Sequence, residues 1–295
     1  MSKRPTDHVV SPTTDTVVVL GEFDGVHRDH VALVADALKL STPLRAAVVA
    51  IVADVGEGVA RIMNVNRRCE LLLSCGVSSA FVVPLPRPVD VQDVVGAALE
   101  RMRPIAVLVD RESWPSQPRG ALTEYLHRIG AIVRDGATAP DPAPGPINTA
   151  TIIDLVRSGD ILTAGEMLGR PYELAGEIAA RDFDPPPTGF QTEQVVPAPD
   201  IVLPGSGVYA ARTLIGRRWV GAAVNVGTRP TFGFSDRVVV EGHLIEFDGD
   251  LQDTELSLRF VSRLRDELQF SGAEELAAQI ERDVVAVTAL LRSKA

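Results

Sequence analysis

"TVVVLGEFDGVHRDH", residues 16–30, decides the fold. Residues 16–20 are short, apolar and mostly β-branched, the pattern of a buried strand. A tight turn carrying Gly25 and two histidines follows, and then "VALVADALKL" (31–40), which has the spacing of an amphipathic helix. A buried strand turning sharply into a helix start is where many α/β proteins grip a nucleotide phosphate. Asp29 stands between His27 and His30 and sets negative charge where such a phosphate arrives.

Working outward, residues 46–53 ("AAVVAIVA"), 80–85 and 105–110 read as further buried strands. Residues 91–102 and 122–130 read as helices among them, so the first half predicts a parallel sheet with helices on its faces. Residues 135–148 are rich in Pro, Gly and Ala and read as an exposed loop or linker. Residues 149–169 predict two short helices broken at Ser158-Gly159. Beyond them "GVYAARTLI", "RWVGAAVNVG", "RVVVEGHLIEF" and "ELSLRFVSRL" are β-rich with no helix between, which predicts an antiparallel barrel or sandwich. An amphipathic helix closes the chain. The division falls near residue 170, giving domains 1–169 and 170–295.

The 295 residues suffice for two cores. A net charge of −10 argues against a general nucleic-acid or membrane-surface binder, which needs a basic face. Cys69 and Cys75 are the two cysteines, in "RRCELLLSCGV", and read as reduced thiols in or near a core rather than a disulfide or metal site. The start of the chain lacks the apolar stretch of a signal peptide, and no run of about 18 apolar residues could span a membrane, so the cytoplasm is the expected location.

Six stretches, in order, resemble the bacterial bifunctional riboflavin kinase/FMN adenylyltransferase (FAD synthetase) family: "GEFDGVHRDH", "LVRSGDILTAGEMLGRPYELAG", "LPGSGVYAA", "VNVGTRPTFG", "VEGHLIEFDGDL" and "FVSRLRDELQF". The resemblance implies a Rossmann-like α/β nucleotidyltransferase domain followed by an antiparallel β-barrel riboflavin-kinase-like domain with a terminal helix. It implies ATP and Mg2+ as co-substrate and cofactor, and riboflavin, FMN or FAD as ligands.

Carried over residue by residue, it makes Phe23, Asp24 and Gly25 nucleotide contacts and His27 and His30 stabilisers of phosphate charge. This chain departs from the pattern at Glu22 (Asn in the family) and Asp29 (Gly). "ADVGEG" (53–58) lacks the family's His and prolines, "DRESWPSQPRG" (110–120) replaces a later segment, and Ile153 stands where an Arg would meet phosphate. His27 and His30 are either phosphate ligands or packing groups of the turn. Arg28 and Arg111 are basic groups that could compensate.

In the second domain the resemblance makes Glu241 the general base, Thr192 a nucleotide and magnesium ligand, and Asn225, Arg263, Arg265 and Phe270 flavin contacts. Asn225, Gly227, Pro230, Thr231 and Phe232 match one loop pattern, which serves either the ligand or barrel packing. "RDFDPPP" (181–187) replaces a glycine-rich phosphate loop, and proline has no amide hydrogen to offer a phosphate. Gln194 replaces a magnesium-binding Asn and is one methylene longer; Glu193 is a weaker candidate oxygen ligand.

Three readings follow. The chain is a conventional enzyme forming FMN and FAD, a non-catalytic flavin or nucleotide binder or protein-interaction subunit, or an enzyme turned to another substrate. Loss of one preorganised donor typically costs about 3 kcal/mol, a hundredfold in rate. The expectation is therefore a divergent member, a pseudoenzyme candidate with ATP-dependent chemistry impaired or redirected in both domains.

Overall fold

Residues Thr16–Gly21 form β1, all six buried, and the turn after them delivers the chain into α1 (Arg28–Leu44). Leu33, Val34 and Ala37 form the buried stripe of α1. β2 (Ala47–Asp54), α2 (Val65–Ser74), β3 (Ser79–Pro84), α3 (Val91–Glu100), β4 (Pro104–Val109) and β5 (Ile132–Asp135) follow. This is a computed structural model; it describes residues 15–85, 91–100, 102–110, 124–128, 130–135, 147–179, 189–228, 238–252 and 254–293. "RDFDPPP", Arg111, Pro230, Thr231 and Phe232 lie outside the described residues.

The sheet order is β3-β2-β1-β4-β5, and every pair is parallel. The order reverses between β1 and β4, which opens a crevice at their carboxyl ends. Alternate residues Val18, Leu20, Val49 and Ile51 pack with Val95 and Leu99 of α3 and with Leu126. The expected Rossmann-like first domain is therefore present.

The chain forms two compact units, Met1–Thr151 and Ile152–Ala295. Helix α4 (Thr149–Ser158) carries the division, and α5 (Ile161–Leu168), grouped from sequence with the first domain, falls in the second unit. Gly159, at φ 83°, makes the break between these helices. Then come β6 (Tyr172–Ile178), β7 (Glu193–Val196), β8 (Gly207–Ile215), β9 (Arg218–Thr228), β10 (Val238–Leu244), β11 (Glu255–Arg265) and α6 (Ala273–Ser293). These strands close a barrel in the order β10-β7-β6-β11-β8-β9, with β10 also pairing β9. All its pairs are antiparallel.

Phe260 packs inside against Tyr172 and Tyr209, at ring centroid distances of 5.9 and 5.4 Å. Helix α6 covers part of the outer face, burying Val287 and Leu291 against Ala210 and Ala223. Each large aliphatic side chain so buried contributes roughly 1.5–3 kcal/mol.

Both cysteines are free. Cys69 is buried on α2, and burial pushes its thiol pKa up, which keeps it protonated. Cys75, at the end of α2, is half-buried. Iodoacetamide at mildly alkaline pH is expected to alkylate Cys75 at least about tenfold faster than Cys69, read by peptide mass mapping. Equal rates would contradict the packing of α2.

Candidate functional site

The turn between β1 and α1 is strained. Phe23 and Val26 have φ of 54° and 39°, left-handed conformations that L side chains rarely adopt, and Gly25 sits at 78°. Asp24 holds it. Its carboxylate accepts from the backbone N–H groups of Ile62 (2.8 Å) and Met63 (3.2 Å) and pairs with Arg68 at 3.3 Å. Arg68, only 1% exposed, also donates to the carbonyls of Glu22 (3.2 Å) and Met63 (3.1 Å). Asp24, expected as a nucleotide contact, thus has its carboxylate aimed at the chain before α2. Arg68 escaped the sequence reading; it shares the buried face of α2 with Cys69 and Leu72.

His27 and His30 come together as expected, both 1% exposed. Their rings stack at 3.6 Å, and Phe23 meets His30 edge-on at 5.2 Å. The His27 backbone N–H donates to His30 Nδ1 at 3.3 Å. That bond places the His30 proton on Nε2, which donates to Asp110 Oδ2 at 3.1 Å. Both nitrogens of His30 are therefore engaged within the protein.

Asp110 follows the carboxyl end of β4 and is nearly buried. A Cβ on Gly21 would lie 2.8 Å from Asp110 Cβ, so glycine is what lets the β1 and β4 ends meet. Asp110 was not predicted; an acid directly after a strand of a parallel sheet, at the switch point, is the signal that could have found it. Asp29 lies in the first turn of α1, where a carboxylate suits the helix dipole. Ile153 lies on α4 and is buried with Ile152 and Val156.

In the barrel unit, Thr192, Asn225, Glu241, Arg265 and Phe270 line one cavity of about 370 Å³, within the size range of small-molecule sites. Strand register explains the convergence. Glu241 on β10 lies opposite Asn225 on β9 and Gln194 on β7. Val240 and Gly242, its neighbours, are buried, so Glu241 belongs to the outer face. Leu276, Ile280 and Asp283 of α6 form another wall. Glu193 is buried, on the alternate face of β7 from Gln194.

Arg265 reaches the cavity but holds Asp283 through two bonds, Nε to Oδ1 at 3.0 Å and a second to Oδ2 at 2.6 Å. Arg263 is not among the cavity's lining residues. Its guanidinium donates to Ser206 O (2.6 Å) and pairs with Asp266 (2.9 Å).

Phe190, His243 and Glu267 are among the lining residues that the sequence reading did not assign to the site. Phe190 meets His243 edge-on at 5.3 Å, and His243 Nδ1 donates to Gln191 O at 2.8 Å. Glu267 rests on bare backbone: a Cβ on Gly227 would fall 1.6 Å from its Oε1. Among the described residues no group of three or more His, Cys, Asp or Glu side chains could hold a metal, and no helix is long and apolar enough to cross a membrane.

A parallel α/β unit followed by a closed antiparallel barrel with a terminal helix is the architecture that the sequence resemblance implies. The sequence matches bear this out. Residues 168–291 match the riboflavin kinase family model, and residues 10–89 match the FAD synthetase model. The chain belongs to the riboflavin kinase/FAD synthetase family.

It is 25% identical over 285 residues to the bifunctional riboflavin kinase/FMN adenylyltransferase of Listeria monocytogenes, covering 90% of each chain. Identity is also 25% to the Escherichia coli K12 protein of the same description, covering 92% of each. The Pseudomonas fluorescens protein of that description is 32% identical over 150 residues, 49% of this chain and 46% of that one. A solved Streptococcus pneumoniae structure, described as a macrolide-efflux protein, shares the fold with a TM-score of 0.78 at 21% identity, covering 94% of each chain.

Proposed function

We propose that this chain is a flavin-binding member of its family in which riboflavin phosphorylation survives at a low rate and adenylyl transfer to FMN is lost. The observation that carries the reading is the convergence of Thr192, Asn225, Glu241 and Phe270 on one small-molecule-sized cavity. A riboflavin hydroxyl placed beside Glu241 gives its proton to that carboxylate as its oxygen attacks phosphorus. The bond from phosphorus to the departing nucleoside diphosphate breaks in the same step. Phe270 and Phe190 offer apolar faces to a planar ring.

Gln194 lies opposite Glu241 in strand register and Thr192 lines the cavity with Glu241; these oxygen donors are of the kind a hard cation accepts, and Thr192 and Gln194 would hold Mg2+. When bound, the ion neutralises phosphate charge. The longer Gln194 side chain and the proline-rich 181–187 segment favour a slow reaction.

The α/β unit supports loss of adenylyl transfer. His30 has both nitrogens committed, and Asp110 and Asp29 add negative charge.

Calorimetry with riboflavin, and single-turnover assays with riboflavin or FMN plus ATP and Mg2+, test this. Riboflavin should bind with micromolar affinity. FMN should form at least about a hundredfold below the 1 s⁻¹ typical of slower enzymes. FAD should not form. Brisk FAD synthesis, or no flavin binding, would overturn the reading.

A further inference from the structure

The outer face of the barrel carries a pair of cavities at the β8–β9 hairpin, distinct from the Glu241 cavity. One, about 390 Å³, is lined by Arg212, Arg218 and Arg292 with the single carboxylate Glu246. The other, about 520 Å³, has an apolar wall of Ile161, Leu162, Pro171 and Val261 and also carries the charged Glu166, Arg170 and Arg259. Arg212 and Trp219 line both, so the two adjoin.

The cationic compartment is not balanced internally. Arg212 donates to the carbonyl of Leu291, and Arg218 to that of Glu246 at 3.5 Å. Among the described residues none of the three arginines pairs with a carboxylate. The α6 carboxyl end explains part of their gathering, because it carries about half a negative charge. Setting that end and Glu246 against three guanidiniums leaves an excess of roughly 1.5 positive charges. This stands on a chain whose net charge is −10.

Guanidinium groups recognise phosphate through paired bonds. The apolar compartment ends at Trp219, 48% exposed, whose ring carries the Arg259 guanidinium at 4.8 Å. Arg259 is held in place by Glu173 at 3.0 Å. An exposed indole beside a cation is a platform for a planar ring.

We propose that this groove binds an aromatic phosphate ester, its ring against Trp219 in the apolar compartment and its phosphate among Arg212, Arg218 and Arg292. The site is separate from the cavity assigned to riboflavin and does not depend on that assignment. Adenine nucleotides and flavin mononucleotide share the required chemistry.

Trp114 and Trp219 are the chain's two tryptophans, so Trp114→Phe leaves Trp219 as the sole indole. In that full-length background AMP is titrated by indole fluorescence. FMN is titrated by calorimetry, and inorganic pyrophosphate serves as the ring-free control. At least one ester should bind about tenfold more tightly than pyrophosphate, and the two arms identify which ring is taken.

Adding Arg218→Ala and Arg292→Ala, both exposed, should weaken that binding at least about tenfold without moving thermal unfolding. Persistence of the AMP-induced change in Trp219 fluorescence in that variant, or an FMN binding stoichiometry that the two substitutions leave unchanged, overturns the proposal. So does the absence of binding by both esters at millimolar concentration. Pyrophosphate binding as tightly as the esters would overturn the ring compartment.

Discussion

Replacing Asp24 with alanine should destabilise the α/β unit by about 3–5 kcal/mol, the usual cost of leaving one partner of a buried ion pair alone. Asp24 is 4% exposed and Arg68 1%. The substitution also removes the acceptor for the Ile62 and Met63 amides. A domain's whole stability is about 5–15 kcal/mol, so the loss is a large share of it. The transition of this unit should fall by on the order of 10 °C in calorimetry.

Two companion variants separate charge from hydrogen bonding. Asp24→Asn keeps an acceptor oxygen for one amide but leaves the Arg68 charge uncompensated. Its loss should stay near that of Asp24→Ala if charge dominates. The double variant Asp24→Ala, Arg68→Met removes the stranded charge and should recover part of the loss, because an apolar pair in place of a buried ion pair is often neutral. A double variant less stable than either single one would contradict this account. Arg68 would then act through its bonds to the Glu22 and Met63 carbonyls rather than through Asp24.

These residues also show where sequence reasoning reaches its limit. Strands such as β1, β2 and β4 were legible because four or more consecutive apolar residues, bounded by turn signals, have their most stable place in a buried sheet. The break at Gly159 and the four long barrel strands were legible from local pattern too. β7 was not: its four residues, "EQVV", are too short for periodicity and include the inward Glu193. The site divides in the same way. The histidine pair and the Thr192–Glu241 cavity were read because the family motifs carry them. The partners of those residues come from distant parts of the chain: Asp110 lies 80 positions from His30, Asp283 18 from Arg265, and Ile62 38 from Asp24. Local pattern holds no record of such pairings, so Arg265 and Asp24 looked available to ligands when the fold already employs them.

Glu241 offers the sharpest test of chemistry. Glu241→Gln should lower single-turnover phosphorylation of riboflavin by about 10²–10⁴-fold, the range for loss of a general base. Glutamine is nearly isosteric and can still pair in register opposite Asn225 and Gln194, so the barrel should keep its unfolding temperature. Riboflavin affinity should change less than about threefold, because the base acts on a proton that moves only in the transition state. This split between rate and binding distinguishes a base from a packing residue, which would shift affinity and stability together. An unchanged rate would remove Glu241 from the chemistry. Of the cavity's remaining acids, Asp283 is tied to Arg265, which would leave Glu267, seated on Gly227, to take the hydroxyl proton.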